Sequence, residues 1–209
     1  MKTPLLTAIA LGMISFLPQS ASAADLYNMD PTHMSIVFSV AHSGYSYTYG
    51  FFRQASGAYI LDESNPANCR FQLTIQTDSL DTNNAERDKH LRSEDFFNVQ
   101  KKECAQITFE STRVQRAAGN DQGVVYQVTG NLTIHGETRQ VTIPLRMLGA
   151  GQGPYGDQRT GFLCQLEIKR SDYGMTGLLD KNLVGDAVAV TVSFEGILQQ
   201  PGTTPPAAR

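Results

Sequence analysis

The sequence predicts an all-β chain whose antiparallel strands wrap back on themselves as a barrel or a sandwich. Three observations carry this. Eight segments alternate apolar and polar residues with period two, the pattern of a strand with one face buried and one solvated. Most of these segments are longer than the usual five or six residues of a strand, at roughly nine to thirteen. No segment reads as a helix long enough to cover so many apolar rows, so the sheet must bury its own face.

The first strand places Met34, Ile36, Phe38, Val40 and His42 on one face and Ser35, Val37, Ser39 and Ala41 on the other. Tyr49 to Leu61, with Phe52 pointing inward, is less regular, and Gly50 and Gly57 predict bends or a bulge there. Cys69, Phe71, Leu73 and Ile75 restore the alternation, and Ile107 and Phe109 continue it. Val124, Tyr126, Val128, Leu132 and Ile134 form the clearest row, ended by a tight turn at His135-Gly136. The last three rows are Val141, Ile143, Leu145 and Met147; Phe162, Cys164, Leu166 and Ile168; and Val188, Val190, Val192 and Phe194. Two stretches interrupt the strands. Residues 83–100 are charged, with Leu91, Phe96, Phe97 and Val99 as their apolar positions, and residues 171–181 carry Tyr173, Met175, Leu178 and Leu179. Both read as short covers over one end of the sheet.

The N-terminus reads as a targeting segment. Lys2 supplies a positive start, Leu5 to Leu17 is apolar and uncharged, Pro18 breaks the run, and Ala21-Ser22-Ala23 has the A-x-A form of a cleavage site. The apolar run is short of the roughly 20 residues of a spanning helix. Export to the periplasm with cleavage after Ala23 follows, leaving no integral membrane segment. The tail, 199–209, holds three Pro and no apolar periodicity and is expected to be disordered. A formal net charge of −3 and the absence of a basic run argue against nucleic acid.

Several stretches, taken in order, resemble one known family. Asp30-Pro31-Thr32-His33 leads into the first strand, followed by Val40-Ala41-His42 with Gly44. Asp81-Thr82-Asn83-Asn84, Arg87-Asp88-Lys89-His90-Leu91-Arg92-Ser93 and Asp95-Phe96-Phe97 form the strongest block. Ile107 to Thr112, Gly130 to Gly136 and Arg170-Ser171-Asp172-Tyr173-Gly174-Met175 complete the set. Together they are similar to the YceI-like family of lipocalin-shaped, polyisoprenoid-binding proteins, over nearly the whole chain from residue 24 to 198. The resemblance implies an all-β, extended eight-stranded antiparallel lipocalin-like barrel with short helices covering one end. It also implies a ligand: a polyisoprenoid, an isoprenoid quinone or another long-chain lipid, with no further cofactor required.

That reading makes the inward rows the candidate site, although every barrel needs a core and the pattern alone fits a solid interior equally well. The lining expected is Ile36, Phe38, Val40 and His42 from the first strand and Phe52 from the second. Phe71, Leu73, Ile75, Ile107 and Phe109 follow, then Tyr126, Val128, Leu132, Ile143 and Leu145. Phe162, Leu166, Ile168, Val190, Val192 and Phe194 complete the wall, and Leu91, Phe96, Phe97 and Met175 come from the covers. Arg87, Asp88, His90, Arg170 and Asp172 are polar candidates. They either ring a head group or form an ion-pair and capping network, with Asp172 capping a short helix and an Arg–Asp pair latching the covers. His42 is either a donor to a head group or a structural histidine.

No H-E-x-x-H spacing, paired cysteine ligands or G-x-S-x-G elbow occurs, so neither a metal nor a catalytic nucleophile is expected. Cys69, Cys104 and Cys164 allow at most one disulfide within the chain. The function expected is a periplasmic carrier that sequesters a long apolar amphiphile. The alternatives are an enzyme acting on a lipid or quinone through His42 or a Cys, and a stress-related interaction scaffold. Met34 to His42, if it sat at a sheet edge, would support a homodimer.

Overall fold

The computed structural model describes residues 24–117 and 123–199. The expected leader and residues 200–209 of the expected tail lie outside the described residues. Gln199 does not belong to that tail: its amide donates to the Leu26 carbonyl at 2.8 Å.

Ten strands follow in order: β1 (Asp25–His42), β2 (Ser46–Phe52), β3 (Ala55–Leu61), β4 (Arg70–Gln76), β5 (Leu80–Asp81), β6 (Gln106–Arg116), β7 (Val125–Ile134), β8 (Glu137–Gln152), β9 (Gln158–Lys169) and β10 (Val184–Leu198). Each pairs antiparallel with its neighbours, and β10 returns to β1, so the sheet closes. Two of the ten are halves of one barrel strand. β1 pairs with β3 through Asp25 to Asn28 and with β2 through Ile36 to His42. The two-residue β5 only adds a short antiparallel pairing beside β2, at Phe51 and Phe52. The result is the eight-stranded antiparallel barrel.

Local chemistry explains where strands bend. β2 and β3 part at Arg53-Gln54, not at the glycines that suggested a bend. Gly50 and Gly57 take no positive φ. They are points of close approach instead: a Cβ on Gly50 would enter the Phe38 ring, and one on Gly57 would strike Met29 and the Gln72 carbonyl. The turn between β7 and β8 does need left-handed backbone, with φ of 53° at His135 and 82° at Gly136, the two-residue hairpin geometry that Gly tolerates best. β1 is not an edge, because β10 flanks Met34 to His42 on one side and β2 flanks most of that stretch on the other. The free edge belongs to β2, from Ser46 to Gly50.

The main irregularity is a bulge in β1. Met29 lies opposite Gly196 and Met34 opposite Phe194, so the stretch from Asp30 to His33 is looped out of the ladder. Pro31 has no N–H to give a ladder, which suits it to a bulge. The bulge resets the parity, so that Met29 and Met34 both turn to the interior. Asp30 holds it in shape. Its buried carboxylate accepts the Thr32 amide at 2.9 Å and the Thr32 hydroxyl at 2.7 Å, and meets His33 Nδ1 at 2.8 Å. Arg159 on β9 adds a 2.8 Å bond to Asp30 and another of 2.8 Å to Glu195 on β10, stitching three strands from outside.

The interior is filled unevenly. Toward the end where β1 begins, aromatic rings form a plug. The Tyr59 ring stacks on Tyr27 at 5.0 Å and Phe71 at 5.4 Å, and Phe162 meets it edge-on at 5.5 Å. Phe194 closes the group at 5.4 Å from Phe162. The Tyr59 hydroxyl bonds the Thr160 hydroxyl, which satisfies it inside the core.

Burial by itself would raise the Asp30 carboxyl, but the bonds from His33, Thr32 and Arg159 outweigh it and hold the group well below its ordinary value. A carboxyl depressed in the folded state stabilises fully above its unfolded pKa, about 3.9 for Asp. That contribution is lost as pH falls through and below this value. Chemical denaturation between pH 7 and 3 is expected to show a smaller acid loss for Asp30→Asn than for the wild type. Phe162→Ala, in the plug, should cost about 3–5 kcal/mol in urea unfolding. Phe97→Ala, beside free space, should cost less than that range.

Candidate functional site: an apolar cavity under a cover of short segments

Above the plug the barrel is hollow. A cavity of about 180 Å³ lies between Phe71 and Phe194 as its floor and the two cover segments as its roof. Its free space touches no polar surface. An apolar cavity of about 150 Å³ can stay dry and admit a benzene-sized guest, so this one admits a short length of hydrocarbon without rearrangement. The wall between Phe194 and Val184 follows β10 for about 33 Å of strand at about 3.3 Å per residue. Strands tilt across a barrel wall, so this length runs around the interior as well as along it.

The structure brings most of the expected lining together. Ile36, Phe38 and Val40 on β1, Phe52 on β2, and Leu73 and Ile75 on β4 reach the cavity, as do Ile107, Phe109, Val128, Leu132, Ile143 and Leu145 on β6 to β8. Leu166 and Ile168 on β9 and Val190 and Val192 on β10 complete the expected rows. Three expectations are corrected. Tyr126 and Phe162 point inward but are fully buried in the plug and do not border the free space. Parity says which face a side chain takes, not the height at which the interior opens. His42 continues the inward parity past the last interior layer, so it is exposed at the rim and borders a separate cleft.

Sequence reasoning missed Met29 and Val184, which also line the cavity. Both lie across a register irregularity, at the β1 bulge and where β1 shifts against β10 between Val40 and His42. Alternation counted inward from a regular stretch fails at such points. Ile134, Val141, Cys164 and Val188 belonged to the inward rows and reach the cavity too.

The roof is built from α1 (Ala85–Arg92), the residues after it, and a single 3-10 turn (Arg170–Tyr173). Asn84 caps α1 by accepting the Arg87 amide at 3.0 Å. Leu91, Phe96 and Phe97 then hang down into the cavity, and Met175 does so from the second cover. The polar candidates mostly hold this roof. Asp88 is buried and accepts the Thr82 amide at 2.9 Å and the Thr82 hydroxyl at 2.5 Å. Arg87 is exposed and donates to the Thr82 hydroxyl and carbonyl at 2.7 Å each. His90 Nε2 meets the Asp95 carboxylate at 2.8 Å while its ring stands edge-on to Phe96.

Arg170 is the keystone of the second cover. Its guanidinium is buried and donates to the carbonyls of Gly185 at 2.8 Å, Met175 at 2.7 Å and Val184 at 2.9 Å. Burial lowers its pKa, although Asp186 opposes this. The expected Arg–Asp latch between covers is replaced: Arg170 lies 5.8 Å from the centre of the Phe96 ring, a cation–π contact. Asp172 does not cap the 3-10 turn: it lies within it, and the residue that precedes the turn, Lys169, makes no side-chain cap bond. Asp186 takes that part, accepting the Ser171 amide at 2.9 Å and hydroxyl at 2.8 Å. Burial would raise the Asp186 carboxyl, but these Ser171 bonds hold it below its ordinary value.

Among the described residues, one group of ligand-type atoms comes together outside the cavity. Asp30, His33 and Glu195 place one atom each within 4.8 Å of the others. Arg159 already supplies the cation there, bonding Asp30 and Glu195 at 2.8 Å each, so the cluster is an ion-pair network.

The family is decided by comparison. The sequence model of the YceI-like domain matches residues 27–196. This chain belongs to the YceI-like family. Among curated relatives, a UPF0312 protein of Enterobacter sp. (strain 638) is 42% identical over 197 residues, covering 93% of this chain and 97% of the relative. Protein YceI of Salmonella arizonae is 39% identical, with 93% and 98% covered. Among solved structures, BcnA of Burkholderia cenocepacia superposes with a TM-score of 0.70 at 26% identity, over 80% of this chain and 98% of that one. A polyisoprenoid-binding domain of Saccharophagus degradans superposes at 0.59 with 18% identity, over 83% and 98%, and speaks for the fold. Among the described residues no helix is long and apolar enough to cross a membrane.

Cys69, Cys104 and Cys164 are all free and buried. Burial pushes the Cys164 thiol up to about 12 and raises the other two. An aromatic disulfide reagent at pH 8 should count three thiols per chain in denaturant and react with them only slowly in the native protein.

Proposed function

We propose that this YceI-like chain is an exported, periplasmic carrier that sequesters a long apolar amphiphile, without catalysis. The observation that carries the reading is the closed barrel with a hollow, wholly apolar upper half beneath a small roof. Such a space offers no directional chemistry, but each CH₂ moved into it from water contributes roughly 0.8 kcal/mol. Affinity then grows with chain length, before ordering costs are subtracted. A polyisoprenoid or an isoprenoid quinone tail suits an apolar cavity of this kind, and the name of the Saccharophagus domain supports the same class.

The sequence around Ala21-Ser22-Ala23 supports export. The catalytic alternative has less support. His42 stands at the rim, outside the cavity, and Cys164, the thiol on the cavity wall, has its pKa raised rather than lowered, whereas an activated thiol needs the reverse. A homodimer, if formed, would use the free edge of β2, where backbone donors and acceptors stand open beside exposed Tyr47 and Tyr49.

Protein purified from the periplasm without detergent should begin at Ala24. Mass spectrometry of its organic extract should show a long-chain lipid in stoichiometric amount. Ile143→Asp, which puts a carboxylate on the cavity wall, should lose that lipid while a surface Thr142→Asp variant keeps it. Folded wild-type protein that carries no lipid and takes up none from vesicles would refute the carrier reading.

A further inference from the structure

β2 pairs with β1 along its whole length, but on its other side only Phe51 and Phe52 are covered, by Asp81 and Leu80 of β5. Period two says which backbone groups stand open on that side. Arg53, just past β2, donates its amide to the Ser79 carbonyl at 3.0 Å, toward β5. Odd-numbered residues of β2 therefore turn their N–H and C=O away from β1, and even-numbered ones turn theirs toward it. Phe51 meets Asp81 there, whereas Tyr47 and Tyr49 face no strand among the described residues. Their side chains are 65% and 61% exposed. Native sheets blunt such an edge with charge, proline or a bulge. Ser46 to Gly50 reads Ser-Tyr-Thr-Tyr-Gly, and its ladder with β1 has no register shift.

Two observations say what fits this edge. The first is that β5 already occupies part of it, as an extended segment paired antiparallel with β2. The chain turns off after Asp81, with φ of 60° at Asn83. A polar cleft is left between Ser46 to Tyr49 on one side and Asp81 to Asn83 with Arg87 on the other. A strand laid in this cleft would prolong the pairing that β5 begins. The second observation is charge. The charged or titratable side chains bordering the cleft are His42, Arg53, Asp81 and Arg87. Asp81 is taken by Arg53 through bonds of 3.0 and 2.9 Å. Arg87 is exposed, spends its Nε and one Nη on Thr82, and has no carboxylate partner among the described residues. It belongs to the roof, which packs on the even-numbered face of β2, where Phe97 meets Phe52 edge-on at 5.7 Å. A second copy of this chain would bring the same positive surplus to the edge, whereas an acidic strand matches it.

We propose that the free edge of β2 is a docking site for an extended polypeptide segment that alternates apolar and acidic residues. The segment pairs through backbone bonds with Tyr47 and Tyr49 and sets its apolar side chains beside their rings on the outer face. Its acidic side chains then turn to the roof side, toward Arg87. The proposal does not depend on what the barrel cavity holds.

A capped seven-residue peptide alternating valine and glutamate tests it, with valine–glutamine and valine–lysine peptides for comparison. Titrated into the wild-type chain at low salt, the glutamate peptide should bind about tenfold more tightly than the glutamine peptide, the worth of one charge-assisted contact. The lysine peptide should bind more weakly still. In Arg87→Gln the glutamate and glutamine peptides should bind within about twofold of each other. Amide hydrogen exchange reads the pairing itself. Bound peptide should slow exchange at Tyr47 and Tyr49 and leave Thr48, already paired with β1, unchanged. Tyr47→Pro removes an amide on the open side without breaking the β1 ladder, so this variant should stay folded and lose most of the affinity. The exchange pattern and the Arg87→Gln comparison decide the matter even if that variant unfolds. No binding at millimolar peptide, or binding that leaves exchange at Tyr47 and Tyr49 unchanged, would overturn the proposal. Equal affinity for the glutamate and lysine peptides would overturn it too. A wild-type dimer in sedimentation that Tyr47→Pro dissociates would also do so, by assigning the edge to a second copy.

Discussion

Closure of β10 onto β1 is the constraint on which the rest depends. Once the ladder from Tyr27 and Leu198 to His42 and Val184 is made, every strand has two neighbours over most of its length. Alternate side chains then have one shared interior to enter. An eight-stranded barrel has little room, enough for its own side chains or for one narrow guest. The choice between these is made by side-chain size at each height. The Asp30 bulge matters because it lets a long, twisted β1 stay in register at both ends. Arg159 ties that bulge to β9 and β10 from outside.

The division of the interior follows from where the large rings fall. Tyr27, Tyr59, Phe71, Phe162 and Phe194 meet at one level and fill it. Above them the inward residues are mainly Val, Ile and Leu, which leave the axis open. The plug supplies packed core and the hollow leaves free space, so one strand takes part in both along its length. Phe194 is plug below and floor above, while Val190 two layers higher is wall.

The roof shows that the polar residues at this end of the barrel are mostly structural. Arg170, Asp88 and Asp186 are consumed in holding the backbone of the covers and the irregular start of β10. Buried polar groups must find partners, and cover segments supply more of them than strands do. Arg87 stands apart, since it is exposed and its guanidinium is only partly used.

The sequence by itself determined the strands, their inward faces and the hairpin at His135-Gly136, because a period of two and a left-handed turn are local properties. It also pointed to most of the cavity wall, since parity from Ile36 to Val40 or from Leu166 to Ile168 needs no knowledge of the partner strand. Only the tertiary structure decided that Tyr126 and Phe162 belong to solid core, that Met29 and Val184 join the wall, and that His42 escapes to the rim. It likewise decided that Asp186, rather than Asp172, caps the second cover. Those outcomes depend on the height of each residue along the barrel and on register shifts between strands distant in sequence, neither of which local periodicity records.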